Sequence, residues 1–87
     1  MKIIEKHYAN NINETGLVIL YPQETNILLT ENFKFVAFNA TDNIGFKFSK
    51  TDPLKIGKQC SERIEGKSFY ISNNSKKEIT IKYSVLH

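Results

Sequence analysis

Apolar and polar positions alternate with a period of two along most of the chain, and no eleven-residue stretch carries a 3.6-residue apolar stripe. The firmest runs are Phe33–Phe48 and Glu78–Val85. From Glu78 to Val85, Ile79, Ile81, Tyr83 and Val85 fall on one face and Thr80, Lys82 and Ser84 on the other. One buried face and one wet face is the signature of an antiparallel sheet. Earlier in the chain, Phe33, Phe35 and Ala37 share one face, with Lys34, Val36 and Phe38 opposite, since successive side chains alternate across a strand. After Asn39-Ala-Thr-Asp42 the pattern resumes with Ile44, Phe46 and Phe48. The two runs therefore predict an antiparallel hairpin about a four-residue turn.

The remaining runs are shorter. Ile3 to Tyr8 predicts a first strand with Ile4, Lys6 and Tyr8 on one side, followed by an Asn-rich loop from Ala9 to Gly16. Leu17 to Tyr21 is a continuous apolar run closed by Pro22, which predicts burial on both faces. Pro22 to Thr25 makes a turn and Asn26 to Thr30 a strand. Ser49 to Gly57 reads as a loop, Gln59 to Ile64 as a strand, Glu65-Gly66-Lys67 as a turn, and Phe69 to Ile71 as a strand. Asn73 to Lys77 is a turn into the last strand. The fold class is thus all-β: a small antiparallel β-sandwich or barrel of seven to eight short strands. Residues 1–87 read as one domain, with residues 1–16 an extended N-terminal strand and loop.

Composition supports the strand reading and narrows the function classes. Ile, Phe, Tyr and Thr are plentiful and Ala is scarce, which favours pleated, half-buried surfaces over helix. The net charge is +3, but Arg63 is the only arginine and the lysines are spread from Lys2 to Lys82. That is not the clustered footprint of a nucleic-acid binder, and Lys76-Lys77 falls in a turn. Charge interrupts the N-terminal segment every two or three residues, so it reads as neither a signal peptide nor a membrane span. The chain therefore reads as cytosolic in origin, with no membrane partner. The three N-x-S/T sequons follow from the Asn-rich composition.

No candidate chemistry meets its geometric requirement. His7, His87 and the lone Cys60 lack metal-ligand spacing, and nothing in sequence brings a histidine to Cys60 as an activating base. Gly66-Lys67-Ser68 copies the end of a phosphate loop, but Ser61 stands where its first glycine belongs and a strand follows instead of a helix. Glu62 and Glu65 read as surface charge. No catalytic residue, metal ligand or cofactor site is expected, and the chain reads as a non-enzyme. Phe33, Phe35, Phe46 and Phe48 follow the core alternation. Val36 and Phe38, beside Lys34, are candidates for a second, intermolecular apolar surface, with Tyr8 of the N-terminal strand. The alternative is a covered second face in the middle of a sandwich.

Phe35-Val-Ala-Phe-Asn39, Ile44-Gly-Phe46, Asp52-Pro53, Ile64-Glu-Gly66-Lys-Ser68-Phe-Tyr-Ile71 and Asn73-Asn-Ser75 leading to Ile79-Thr-Ile81-Lys-Tyr83 form a recurring order. This order, over residues 33–85, resembles small β-sandwich proteins of bacteriophage particles, of the capsid-decoration, head-fibre and tail-accessory kinds. Lys58-Gln59 departs from the small-residue loop common in them. The resemblance implies a structural or assembly subunit acting through protein–protein contacts. Its partners would be itself, as a homo-oligomer, and a larger virion protein. Two alternatives stay open: a phage- or mobile-element-encoded inhibitor of one host protein, and a small nucleic-acid-binding barrel.

Overall fold

Each predicted run of alternation becomes a strand, though several change length or partner. The computed structural model describes residues 1–9, 13–64 and 67–87, with the backbone alone at Tyr8 and Ala9. Among them are seven strands and no helix: β1 (Lys2–Ala9), β2 (Asn13–Leu20), β3 (Ile27–Phe33), β4 (Phe35–Lys47), β5 (Lys55–Glu62), β6 (Lys67–Ser72) and β7 (Ile79–Leu86). All pairings are antiparallel, in the order β1-β2-β7-β4-β6-β3, with β5 on the other edge of β4.

The predicted hairpin between Phe38 and Ile44 does not form. β4 runs through it as one strand of 13 residues. Its first part pairs with β7, from Phe35↔Leu86 to Ala40↔Ile81, and its last part pairs with β6, from Gly45↔Ser72 to Lys47↔Tyr70. The residues expected to turn instead bulge. Against β5 the register moves from Asn39↔Gln59 to Ile44↔Gly57, so five steps on β4 face two on β5. Thr41 Oγ1 accepts the Thr80 N–H at 3.1 Å, and Asp42 pairs with Lys77 at 2.5 Å. These contacts satisfy the segment in extended form, which removes the incentive to reverse.

A second difference lies just upstream. Asn32 adopts a left-handed φ of 57° and the chain bends at Lys34, whose N–H donates to Leu86 O at 2.7 Å. The bend shifts the alternation by one. Phe33 closes β3 pointing inward, and Val36 and Phe38, not Phe35, continue the inward row. Asn tolerates this conformation better than most residues. β5 begins at Lys55, inside the predicted loop, and β2 begins at Asn13, inside the Asn-rich one. The Glu65-Gly66 part of the predicted turn lies outside the described residues. In β2, Val18 and Leu20 are fully buried while Leu17 and Ile19 are only half-covered, so burial on both faces is not reached.

Among the described residues, fourteen form the buried core: Val18 and Leu20 of β2, Phe33 of β3, five of the β4 segment through Phe48, Phe69 and Ile71 of β6, and all four inward residues of β7. Phe33, Phe38, Phe46, Phe48 and Phe69 make one aromatic layer with ring centroids 5.1–6.4 Å apart, in tilted and edge-on arrangements. Such contacts add roughly 0.5–1.5 kcal/mol per pair beyond area burial.

One buried polar residue fastens the turns at one end. Asn73 is fully buried. Its Nδ2 donates to Leu20 O at 2.9 Å and Lys77 O at 2.8 Å, its Oδ1 accepts from Ser75 N and Oγ, and its N–H donates to Glu24 O. Asn73→Ala would remove the side-chain partner of Leu20 O and of the Ser75 amide, leaving Lys77 O with Ser75 Oγ alone, and is expected to cost about 2–3 kcal/mol in urea denaturation. The Asp42–Lys77 pair generates a pH dependence. The Lys77 ammonium and the Asn43 N–H hold the Asp42 carboxyl below its usual value. Stability from this pair is therefore present above the ordinary carboxylate pKa and lost as pH falls through the lowered folded value. Asp42→Asn is expected to remove that part of the acid sensitivity, measured as urea midpoints across an acid pH series.

Candidate functional site

The inward row of β2 starts with a charge. Glu14, Gly16, Val18 and Leu20 all face the interior, and Glu14 is only 6% exposed. Register aligns Lys6, Gly16, Tyr83, Phe38 and Cys60 across β1, β2, β7, β4 and β5. A Cβ at Gly16 would lie 2.6 Å from the Tyr83 hydroxyl oxygen, so the missing side chain is what lets the phenol lie across β2. From there Tyr83 Oη donates to Glu14 Oε1 at 3.0 Å, and Lys6 Nζ sits 3.3 Å from the same oxygen. His87 Nε2 is 3.8 Å from Oε2. An almost buried carboxylate needs a counter-charge and donors, and Lys6 and Tyr83 supply them. With Tyr83 only 2% exposed, the groups satisfy one another more than they address solvent.

Two shallow depressions lie on the outer face of β1, β2 and β7. One, of about 340 Å³, is lined by Glu5, His7, Thr15, Leu17, Lys82 and Ser84. The next, of about 360 Å³, shares Thr15 and Ser84 and ends on Phe35 and Leu86. In the first, Glu5 and His7 are in mutual contact.

β5 has a different character. It pairs with β4 and with no other described strand, and Ile56 is 63% exposed, with Leu54 just before it 41% exposed. β1 and β3 are also edge strands, but both have register breaks within their pairings, at Ile3/Glu5 in β1 and at Leu28/Thr30 and Glu31/Phe33 in β3. Such bulges blunt an edge. The β4–β5 pairing has a break too, between Asn39 and Ile44, with unbroken register from Gln59 to Glu62 on one side of it, so β5 is distinguished by the exposure of Ile56. Cys60 packs half-buried against the core, and burial, with Glu62 nearby, pushes its thiol pKa up. Lys55 Nζ lies 5.5 Å from the centroid of the Phe48 ring, a cation–π contact.

The residues singled out from sequence are scattered by this arrangement. Val36 and Phe38 are 1% and 2% exposed and belong to the core. The expected second apolar surface is corrected to an interior one, for the bend at Lys34 turned that face inward. Lys34 is exposed in the bend. Tyr8 pairs with Glu14 through its backbone, and its side chain lies outside the described residues. His7 and Cys60 sit on opposite edge strands with β2, β7 and β4 between them, so they cannot form a nucleophile pair. Among the described residues no three His, Cys, Asp or Glu side chains are grouped to hold a metal ion. Lys67 and Ser68 open β6 as strand, and Gly66 and Glu65 lie outside the described residues. Glu14 was missed because its segment reads as an Asn-rich loop. The signal was there in the spacing of Glu14, Gly16, Val18 and Leu20.

No protein-family model matches the chain, and no curated protein sequence does. Among solved structures, the fold is similar to double-stranded β-helix and cupin domains. The cupin domain of Schizosaccharomyces pombe Cnp3 superposes with a TM-score of 0.74 at 12% identity, over 97% of this chain and 59% of that one. A conserved Klebsiella pneumoniae protein with a double-stranded β-helix domain gives 0.73 at 8% identity, over 98% and 72%. The protein TT1209 from Thermus thermophilus gives 0.71 at 10% identity, over 98% and 83%. These likenesses correct the expected kinship with phage-particle β-sandwich proteins, and with it the reading as a virion subunit. The shared features were strands and turns, which many β folds use. No described helix is long and apolar enough to cross a membrane.

Tyr83→Phe is expected to leave the Glu14 carboxylate short of a donor and to cost about 1–2 kcal/mol in urea denaturation. Cys60 is expected to react with a thiol reagent more slowly in the folded protein than in the urea-unfolded chain, since burial lowers its thiolate fraction.

Proposed function

We propose that this chain is a non-enzymatic binding module that works by self-association, with a sheet edge as its working surface. The observation that carries the reading is β5, an eight-residue strand that, among the described residues, is partnered on one side only and bears the most exposed large apolar side chain, Ile56. A strand with free N–H and C=O groups along one edge is a template for a further strand. Two other features support a surface over a pocket. Five phenylalanine rings fill the space between the walls, as small barrels fill theirs with side chains. At the polar end, Glu14 is engaged by Lys6 and Tyr83. A closed two-fold dimer is the commonest outcome when one surface patch pairs with its own copy. Edge pairing alone buries little area, so the dimer is expected to be weak.

The test is sedimentation equilibrium over a series from about 10 µM to about 1 mM, a range suited to a small interface. A mass rising from 10.0 kDa toward twice that value is the expected result. An unchanging 10.0 kDa across the series would overturn the reading.

A further inference from the structure

The geometry points to one register for this association: two copies pair β5 with β5 antiparallel, with the two-fold axis passing at Cys60. The inference rests on the self-association reading above and specifies its contacts.

Strand geometry restricts the choice. Alternate residues of β5 turn their backbone groups toward β4, and the others turn theirs to the free edge. Directly opposite residues in a new antiparallel pair must be of the same kind, so the numbers of each opposed pair must sum to an even value. The axis therefore passes at a residue, never between two. Centring on Lys58 sets that lysine against its own copy. Centring on Gln59 sets Lys55 against Arg63 at both ends. Like charges directly opposite are unfavourable. Centring on Ser61 sets Cys60 against Glu62 and Lys58 against Ile64, with no complementary pair.

Centring on Cys60 is different. Lys58 then faces Glu62 of the second copy twice, once on each side of the axis, Ile56 faces Ile64, and Gln59 faces Ser61. Among the described residues, neither Lys58 nor Glu62 enters an ion pair inside its own chain, and Lys58 feels Asp42 only as a longer-range charge. Both are therefore available, and the exposed Ile56 gains an apolar neighbour. Complementary charge at symmetric positions is what selects this register over its neighbours.

The same register brings the two Cys60 Cα atoms to the spacing of directly opposed residues, roughly 4.5–5.5 Å, inside the range that a disulfide spans. That makes the thiol a ruler. The full chain, at a concentration where the dimer is populated, is treated in alkaline buffer with a dithiodipyridine oxidant. This removes two electrons and two protons from the pair of thiols and is itself reduced to two thiopyridones. A covalent species of twice 10.0 kDa on a non-reducing gel is expected. In parallel, Lys58→Glu and Glu62→Lys are each expected to weaken the dimer by roughly tenfold or more in sedimentation, because each turns both attractive pairs repulsive. Carrying both substitutions in one chain is expected to restore it. A far-ultraviolet circular dichroism spectrum matching the wild type shows that the variants still fold. A wild-type dimer that neither links through Cys60 nor responds to the charge reversals overturns this register and leaves self-association standing. A chain that stays monomeric at every concentration overturns both.

Discussion

The fold depends on β4 changing partners partway along its length. Every buried backbone amide and carbonyl needs a hydrogen-bond partner, and a strand of 13 residues is longer than either neighbour on that side can match. β7 serves its first part and β6 its last. Two strands that share one edge of a third must diverge, and the sheet is carried round on itself as they do. The bulge at 40–43 supplies the local bend and twist that bulges bring. The inward residues of β2, β3, β4, β6 and β7 then meet in a single core, and the phenylalanine layer is a consequence of that meeting.

The two ends of the structure solve the polar problem differently. At one end Asn73 uses its whole side chain to satisfy neighbouring turns. At the other, a carboxylate is taken nearly out of water and balanced by Lys6 and a phenol that fits only because residue 16 is glycine. Neither arrangement resembles a prepared catalytic site. β5 is the opposite case, where one edge pairs with no other described strand and Ile56 is exposed. The structure is most complete where it is buried and least complete along that strand.

Alternation carried the strands well, because each has one face toward the core. β7 shows it best, with Ile79, Ile81, Tyr83 and Val85 all inside as their spacing implies. What alternation could not convey was pairing. Asn39-Ala-Thr-Asp42 has turn chemistry, and only Thr80 and Lys77, about forty residues away, make it extended. The parity change at Lys34 is equally invisible, since it depends on a left-handed Asn32. That one shift moved Val36 and Phe38 from a supposed surface to the interior. The β5 edge escaped notice for a related reason. Gly57 and Lys58 break its apolar rhythm, as a strand that packs only Cys60 against the core has little need to keep one. Glu14 was hidden by its neighbours' composition, although its place in the inward spacing was readable.

The register of β2 against β7 also governs how the chain reaches this state. Leu20 lies opposite Ile79, and Asn13 opposite Leu86, so the central pairing cannot begin until the chain has been made through β7. Closing so long a loop sacrifices chain entropy before any contact compensates it, and topologies built on such pairings fold in roughly milliseconds to seconds. Through that interval β7 stands as an unpaired, strongly alternating apolar strand. On a ribosome it would emerge after the six described strands that precede it, and they would have to wait for it.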